Sequence, residues 1–296
     1  MDETLRGLRV YRASRLEALV APLESLLDAW LPEDLLAPQT VLAAHPGIQR
    51  WLTRELARRR GAADVVANLD VILPGTWLES EMQTRAGQTA QPAYRREVLR
   101  WRVLDALDAI EDPSLSRYLD GADRRRRFQL ADRIAALYAR YLVYRPDWLA
   151  AWEQGRSSVP TRSFLAPLWR RLRTDIAGAH RGELMRSWFD ARRRAAPESV
   201  MVAPLHVFGL SHLPPPELAL LRAEARHRLV CLYFPDPCVE FWAGLGDDRS
   251  RLQRLRQFGP DGEGERELQS LGHPLLAAWG RMGQQFGLGL LDGEGE

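Results

Sequence analysis

The chain has 296 residues, of which 46% are hydrophobic and 27% charged, a balance typical of a folded globular protein. This composition excludes a disordered or collagen-like chain, and no run approaches the roughly 18 apolar residues of a membrane span. The net charge of +2 gives the whole protein no strongly basic field. The acidic start predicts no signal peptide, and the two cysteines, Cys231 and Cys238, predict no disulfide framework, so a cytoplasmic location is expected.

Lysine is absent from the chain, so all 41 basic residues are arginine. Any chemistry that needs a lysine amine is therefore excluded within this chain, including the phosphate-loop lysine of nucleotide-driven motors and a Schiff-base lysine. A GC-rich genome accounts for such a composition, and the exclusion holds whatever its cause. Arginine suits phosphate contact, because its planar guanidinium donates to two oxygens at once.

Short apolar runs alternate with helical patterns at both ends of the chain, which predicts an α/β fold with a parallel sheet. The middle is helical nearly throughout. The predicted strands are 8–13, 40–44, 68–73, 205–210 and 229–234. The predicted helices include 16–30, 48–60, 95–110, 126–144, 214–226 and 274–286.

These elements predict a discontinuous domain organisation. Residues 1–76 and 200–243 are expected to form one α/β domain, and residues 77–199 a largely helical insertion within it. The remainder, 244–296, is expected to hold a glycine-rich mobile loop over 244–268 and the final helix.

Several segments, taken in chain order, resemble the N-terminal part of the RecC family, the gamma chain of exodeoxyribonuclease V. They are Leu8–Tyr11, Tyr141–Glu153 (YLVYRPDWLAAWE), Phe208–Pro215 (FGLSHLPP), Leu232–Cys238 (LYFPDPC) with Phe241 and Trp242, and His273–Gly280 (HPLLAAWG). The resemblance covers roughly 8–286. Because family members are several times longer, the chain is expected to be an N-terminal fragment or the product of a truncated gene.

The resemblance implies a P-loop-type, superfamily 1 helicase-like sheet that no longer hydrolyses ATP. The residues themselves agree with this. An active motor carries a glycine-rich loop ending in Gly-Lys-Ser/Thr after the strand 40–44, where backbone amides and lysine hold the phosphates. Here the chain reads AHPGIQR over Ala44–Arg50, with one glycine and no lysine. No Asp-Glu pair closes a strand to hold magnesium.

The resemblance also implies a role without chemistry of its own. The partners would be RecB and RecD, which supply ATP hydrolysis, translocation and magnesium-dependent cleavage, so no cofactor or metal is expected in this chain. The complex acts on double-stranded DNA and guides single-stranded DNA past a reader of the Chi sequence, in double-strand break repair by homologous recombination. The alternative is a scaffold that docks a partner helicase without contacting DNA, while an active ATPase is disfavoured because its cation is missing.

Polar residues at the carboxyl edge of the predicted sheet are candidates for contact with a DNA strand, since ligands of open α/β sheets bind there. The resemblance adds the segment 68–77 and the turn at 119–123 as walls of the DNA channel, and Arg181 is a further candidate for phosphate contact. An ordinary solvated helix start is the alternative for these positions. The candidates are Ala44, His45, Pro46, Gln49, Arg50, Asn68, Leu73, Pro74, Trp77, Asp120, Asp123, Arg124, Arg126, Arg127 and Arg181.

The chain departs from the family pattern where bases would be read. Polar residues of the enteric members align with Ala44, Pro46 and Arg50, and a tryptophan aligns with Glu79, which leaves Trp77 as the nearby aromatic. Hydrogen bonds to base edges are lost at Ala44 and Pro46, so recognition of the same Chi sequence is not expected.

Other chemistry-bearing residues have a structural interpretation. The arginine clusters beginning at 58, 124, 170 and 192 are typical of solvated helix faces, with phosphate contact favoured at 124–127. Core packing is expected for five tryptophans on predicted helices, and base stacking is an open alternative for Trp77. The tryptophans expected in the core are Trp101, Trp148, Trp152, Trp169 and Trp188.

Overall fold

The computed structural model describes residues 6–31, 36–60, 65–156, 163–196, 202–238 and 280–291. The chain forms two compact units. The first, here called the sheet unit, comprises Met1–Trp77, Pro197–Leu213 and Glu224–Glu296. The second, the helical unit, comprises Leu78–Ala196 and Pro214–Ala223. The predicted loop 244–268 and the first part of the predicted final helix, 274–279, lie outside the described residues.

Within the described residues, five parallel strands form one sheet in the spatial order β1-β5-β4-β2-β3. In chain order the strands are β1 (Gly7–Ala13), β2 (Gln39–Ala43), β3 (Leu69–Ile72), β4 (Leu205–Phe208) and β5 (Leu229–Pro235). Nearly every side chain of β4 and β5 is buried, as expected for inner strands covered on both faces. The prediction of an α/β fold with a parallel sheet is confirmed.

One hydrophobic cluster of the sheet unit lies between one face of the sheet and two helices. The helices of this unit include α1 (Val20–Ala29), α2 (Pro46–Arg59) and α11 (Arg281–Leu291). Leucines of α1 and α2 bury against alternate residues of the strands, because successive strand side chains point to opposite faces. The cluster includes Leu23, Leu27, Leu52, Leu56, Val41, Phe208 and Tyr233.

The helical unit has an aromatic core. The remaining helices of the described chain are α3 (Pro74–Ala86), α4 (Arg96–Ala106), α5 (Pro113–Leu119), α6 (Arg124–Tyr144), α7 (Pro146–Glu153), α8 (Leu165–Asp175), α9 (Arg181–Arg194) and α10 (Pro215–Ala225). Tyr138, Trp152 and Trp169 are fully buried, and the ring of Tyr138 lies 5.2 Å from that of Trp169. The Tyr138 hydroxyl donates to the Leu165 carbonyl at 2.7 Å, so the buried polar group is satisfied.

Core packing is confirmed for Trp152, Trp169 and Trp188, while Trp148 is only half-buried. The same prediction is wrong for Trp101, which is 50% exposed on α4. Apolar residues surround it in sequence, but they belong to the opposite face of the helix.

Most element boundaries fall within a few residues of those predicted, and the exceptions have local causes. The strand predicted over 205–210 ends at Phe208, because Gly209 adopts a φ of +72° and turns the chain. The helix predicted over 126–144 begins at Arg124, where Asp123 caps it. The final helix is Arg281–Leu291 and therefore continues beyond the predicted end at 286.

Every helix in the described part of the chain is too short or too polar to cross a lipid bilayer.

A polar group lies in the middle of the sheet core. His206 in β4 is buried, and its Nδ1 lies 3.0 Å from the hydroxyl of Tyr233 in β5. Burial lowers the pKa of His206 to about 4, so the imidazole is neutral at pH 7. Burial likewise raises the pKa of its strand neighbour Cys231 to about 11, which keeps that thiol protonated.

The buried His206 predicts a pH-dependent stability. The unfolded chain takes up a proton near pH 6.5, whereas the folded chain takes it up at about 4. The free energy of unfolding should therefore fall as the pH drops from about 6.5 to 4, by up to ~3 kcal/mol from this group. Urea titrations of wild type and H206Q across this range should show a flatter profile for the variant. H212Q, which changes an exposed histidine, is the control, and equal slopes in wild type and H206Q would contradict the prediction.

The turn after β4 predicts a glycine requirement. An added Cβ on Gly209 would lie 3.3 Å from Cδ1 of Ile48 in a backbone conformation that side chains disfavour. We expect G209A to reduce the free energy of unfolding by about 1–2 kcal/mol. Gly75 has no positive φ and open space at its Cβ, so G75A is the matched control. Equal unfolding midpoints for the two variants would show that the turn tolerates a side chain.

Candidate nucleic-acid interface

The connection between β2 and α2 is two residues long. Strand β2 ends at Ala43 and α2 begins at Pro46, which leaves only Ala44 and His45 between them. The His45 imidazole accepts a hydrogen bond from the Gly47 amide at 3.0 Å and so caps the helix. Proline fits the first helical position, because its missing N–H would be unpaired there. His45 and Pro46 are exposed, and Ala44 is half-buried.

This connection lies at the point where the strand order reverses. β2 and β4 are neighbours, yet the chain moves from β2 outward to β3 and from β4 in the opposite direction to β5. The Ala44 amide donates to the Phe208 carbonyl at 3.4 Å, and Gly209 brings the β4 turn close beneath Ile48. Ligands of open parallel sheets bind at such a crevice, at the carboxyl ends of the strands.

Gln49 and Arg50 differ in whether their side chains are available to contact a ligand. The Gln49 side-chain amide donates to the Val71 carbonyl and ties α2 to β3, so contact with a ligand requires that bond to open. Arg50 is exposed, and among the described residues its guanidinium has no acidic partner.

The candidate residues before and after β3 do not all lie at the same edge of the sheet. Leu73 and Pro74 follow β3 and are half-buried at its carboxyl end. Asn68 precedes β3 and therefore lies at the opposite end, where its carbonyl accepts from the Gln39 amide at 2.9 Å. Trp77 is only 6% exposed, and the Arg228 guanidinium lies over its ring at 5.6 Å. In this conformation Trp77 offers little surface for a stacked base.

The predicted turn in the helical unit is a compact entry to α6. Gly121 has a φ of +63°, as a tight turn between two helices requires. The Asp123 carboxylate accepts from the Arg126 amide at 2.8 Å and caps α6, whereas Asp120 is exposed. One of the two predicted acidic residues thus has a structural role in this turn.

The four consecutive arginines at the start of α6 divide into two pairs. Arg127 bonds to Asp108, and the Arg126 guanidinium lies 4.4 Å from the ring centroid of Tyr118. Arg124 and Arg125 are exposed and have no ion-pair partner in the described ranges. Two guanidinium groups at this turn are therefore exposed to solvent without a carboxylate partner among the described residues.

Arg181, the first residue of α9, lines a cavity of about 360 Å³ in the helical unit. Its Nη2 donates to Glu217 at 2.6 Å, while its Nε is buried with no partner among the described residues. Glu79, Arg95 and Arg96 also line the cavity, above apolar side chains of α3, α6 and α9. Arg181 therefore lines the same cavity as Glu79, the residue that aligns with a tryptophan of the family.

A partly buried ionic cluster in the helical unit was not predicted. Glu153, His180 and Glu183 place one ligand-type atom each within 4.8 Å of one another. The Nε2 atom of His180 lies 2.8 Å from Glu153, and Arg173 bonds to Glu183 at 2.7 Å. The only sequence signal is the 180–183 spacing of a capping box, since Glu153 is distant in the chain.

This cluster is already balanced without a metal. His180 Nδ1 accepts two backbone N–H groups of α9, so its proton is on Nε2 and is donated to Glu153. Burial acts to raise the pKa of Glu153, but bonds from His180 and Trp169 and the Arg173 charge bring it below its usual value. Arg173 and Arg186 supply the two cations here, and the cluster joins α7, α8 and α9.

The candidate residues thus fall in two groups. Those from Ala44 to Trp77 belong to the sheet unit, and those from Asp120 to Arg181 belong to the helical unit. In the sheet unit, the structure brings the β2–α2 connection and the residues after β3 to one edge, without Asn68.

Comparison with known proteins gives a consistent family. The family model described as RecC, N-terminal domain, matches residues 8–294. The chain is 30% identical to the RecBCD enzyme subunit RecC of Escherichia coli over 94% of its length and 28% of that protein. The subunit of Haemophilus influenzae is 25% identical, with 94% and 30% covered, and that of Mycobacterium tuberculosis is 30% identical, with 93% and 26% covered.

The chain therefore spans less than a third of the length of these curated relatives. The matched region includes both units and nearly all of the described residues. The chain belongs to the RecC family and corresponds to its N-terminal domain.

Proposed function

We propose that this chain is a non-catalytic DNA-binding subunit of a RecBCD-type complex, exodeoxyribonuclease V. In this role it guides single-stranded DNA and contributes to Chi recognition during double-strand break repair by homologous recombination. Its partners are RecB and RecD chains, which supply ATP hydrolysis and magnesium-dependent cleavage. Membership of the RecC family is the observation that carries the proposal.

The β2–α2 connection supports a role without nucleotide hydrolysis. A phosphate-binding loop wraps several backbone amides and a lysine around the phosphates between a strand and its helix. Ala44 and His45 are too few to make that loop, and His45 already occupies the Gly47 amide that opens α2. The parallel sheet then acts as a helicase-like scaffold, and the side chains at its carboxyl edge contact a strand of DNA.

The start of α6 supports contact with the phosphates of DNA. The first turn of a helix is its positive end, where cations are unfavourable by a few tenths of a kcal/mol each. Four arginines and no acidic residue occupy this turn, so helix stability does not explain them. A polyanion compensates that charge, and the exposed pair Arg124 and Arg125 is free to meet one.

The cavity around Arg181 supports contact with bases as well as phosphates. Its lining combines apolar side chains with Arg95, Arg96 and Arg181, groups that suit the rings and the phosphates of a nucleotide. At the sheet edge, Ala44 and Pro46 offer no side-chain hydrogen bonds, so a Chi-type sequence read here would differ from that of the enteric relatives.

The α6 arginines provide the direct test. R124Q/R125Q should weaken binding of the full chain to single-stranded DNA by roughly tenfold and reduce the slope of log K against log salt by about 1.4, because two phosphate contacts are lost. Fluorescence anisotropy with a labelled oligonucleotide over a salt series measures both. R171Q/R194Q makes the same charge change elsewhere in the helical unit and is the matched control.

The same variants separate the proposal from the scaffold alternative. Co-purification with the cognate RecB chain should be unchanged in R124Q/R125Q. Loss of RecB association with unchanged DNA binding would instead favour a docking scaffold. Wild-type protein that fails to bind single strands at low salt would contradict the proposal.

A further inference from the structure

Trp101 on α4 is the exposed tryptophan of the described chain, at 50% of its surface, and Val98 one turn earlier is 41% exposed. Residues three apart are neighbours on a helix surface, so Val98 and Trp101 form an exposed apolar patch, a feature that marks binding sites. The buried residues of α4 are Leu99, Val103 and Ala106, which lie on another face of the helix.

The indole ring is held in place on one side. Its centroid lies 5.1 Å from that of Phe128 on α6, and the Arg100 guanidinium lies 5.6 Å from Trp101 and 5.5 Å from Phe128. Asp132 in turn holds Arg96 at 2.6 Å and lies 3.9 Å from Arg100. The ring is thus pre-positioned, which reduces the entropy lost when a ligand stacks on it.

Charge around the ring favours one kind of ligand. Arg124 and Arg125 lie one turn before Phe128 on the same side of α6, and neither has an acidic partner in the described structure. The exposed carboxylates nearest to Trp101 in sequence, Glu97 and Asp105, lie one turn before and one turn after it on the same face of α4, so phosphates are repelled there and directed to α6. A polyanion that also carries planar rings matches this arrangement, with its phosphates along α6 and its bases over α4.

We propose that Trp101, backed by Phe128 and Arg100, is a stacking platform for a base of single-stranded DNA, outside the candidate channel residues. The proposal rests on the DNA-binding function proposed above and adds a specific contact to it. Stacking on an aromatic ring is tolerant of sequence, because every base has a flat face. Trp101 therefore strengthens retention of the strand and does not read its sequence.

The test uses the full chain and a single strand of about 16 deoxythymidines, near the upper site size of single-strand binding folds. W101A should reduce affinity by about 5- to 100-fold, and W101F should retain it within about threefold. Y144A removes another exposed aromatic at the far end of α6 and should bind as wild type does. Far-UV circular dichroism of each variant verifies folding.

Photo-crosslinking with 5-iododeoxyuridine in the same strand gives a second readout. Adducts mapped by mass spectrometry should fall on Trp101 or Phe128. If wild type binds the strand but W101A binds equally well and these residues carry no adduct, the platform is refuted and the DNA-binding function stands. If wild type does not bind at all, both fail. Loss of RecB association in W101A with unchanged DNA affinity would assign the surface to a protein partner and overturn the platform.

Discussion

The rest of the sheet unit depends on the two-residue connection between β2 and α2. Parallel strands place their carboxyl ends at one edge, and a helix that starts immediately after Ala44 and His45 closes that edge with backbone and side-chain contacts. Gly209 allows the β4 turn to approach Ile48, and Gln49 ties the same helix to β3. A longer, glycine-rich loop would break these contacts. The same packing that stabilises the edge supports the proposal that this edge does not hold a triphosphate.

A chain without lysine places its charges differently from most proteins. Several arginines are held by carboxylates, such as Arg173 in the partly buried cluster and Arg181 beside Glu217. Exposed ion pairs contribute at most about 1 kcal/mol each, so they do not determine the fold. The proposed DNA contacts rest on the arginines that have no such partner. Arg124 and Arg125 have no such partner in the described residues, and they lie next to the exposed Trp101–Phe128 pair.

Local signals in the sequence predicted the fold class and most elements. Short apolar runs marked β2, β4 and β5, because inner parallel strands are buried on both faces. The spatial order of the strands could not be predicted from these runs, because the same runs are compatible with several topologies. The resemblance implies Asn68 as a channel residue together with Leu73 and Pro74, whereas the structure has Asn68 at the other end of β3.

The candidate site was less predictable, because it depends on contacts between distant residues. Trp101 was assigned to the core from its apolar neighbours, but a single turn of α4 decides which face a residue occupies. The Glu153–His180 bond joins residues 27 apart, which no spacing rule reveals. Resemblance to a family implies the turn at 119–123 as a candidate, whereas the structure shows which of the arginines after it have no acidic partner among the described residues.

Hydrogen exchange measured by mass spectrometry tests the central claim most directly. The full chain is compared alone, with single-stranded DNA, and with ATP and magnesium. We expect DNA to slow exchange in peptides covering 44–50 and 119–128, and ATP to leave every peptide unchanged. If ATP slowed hydrogen exchange in 44–50, or if DNA slowed exchange in no peptide, the result would contradict the proposal that this sheet edge binds single-stranded DNA and not a nucleotide.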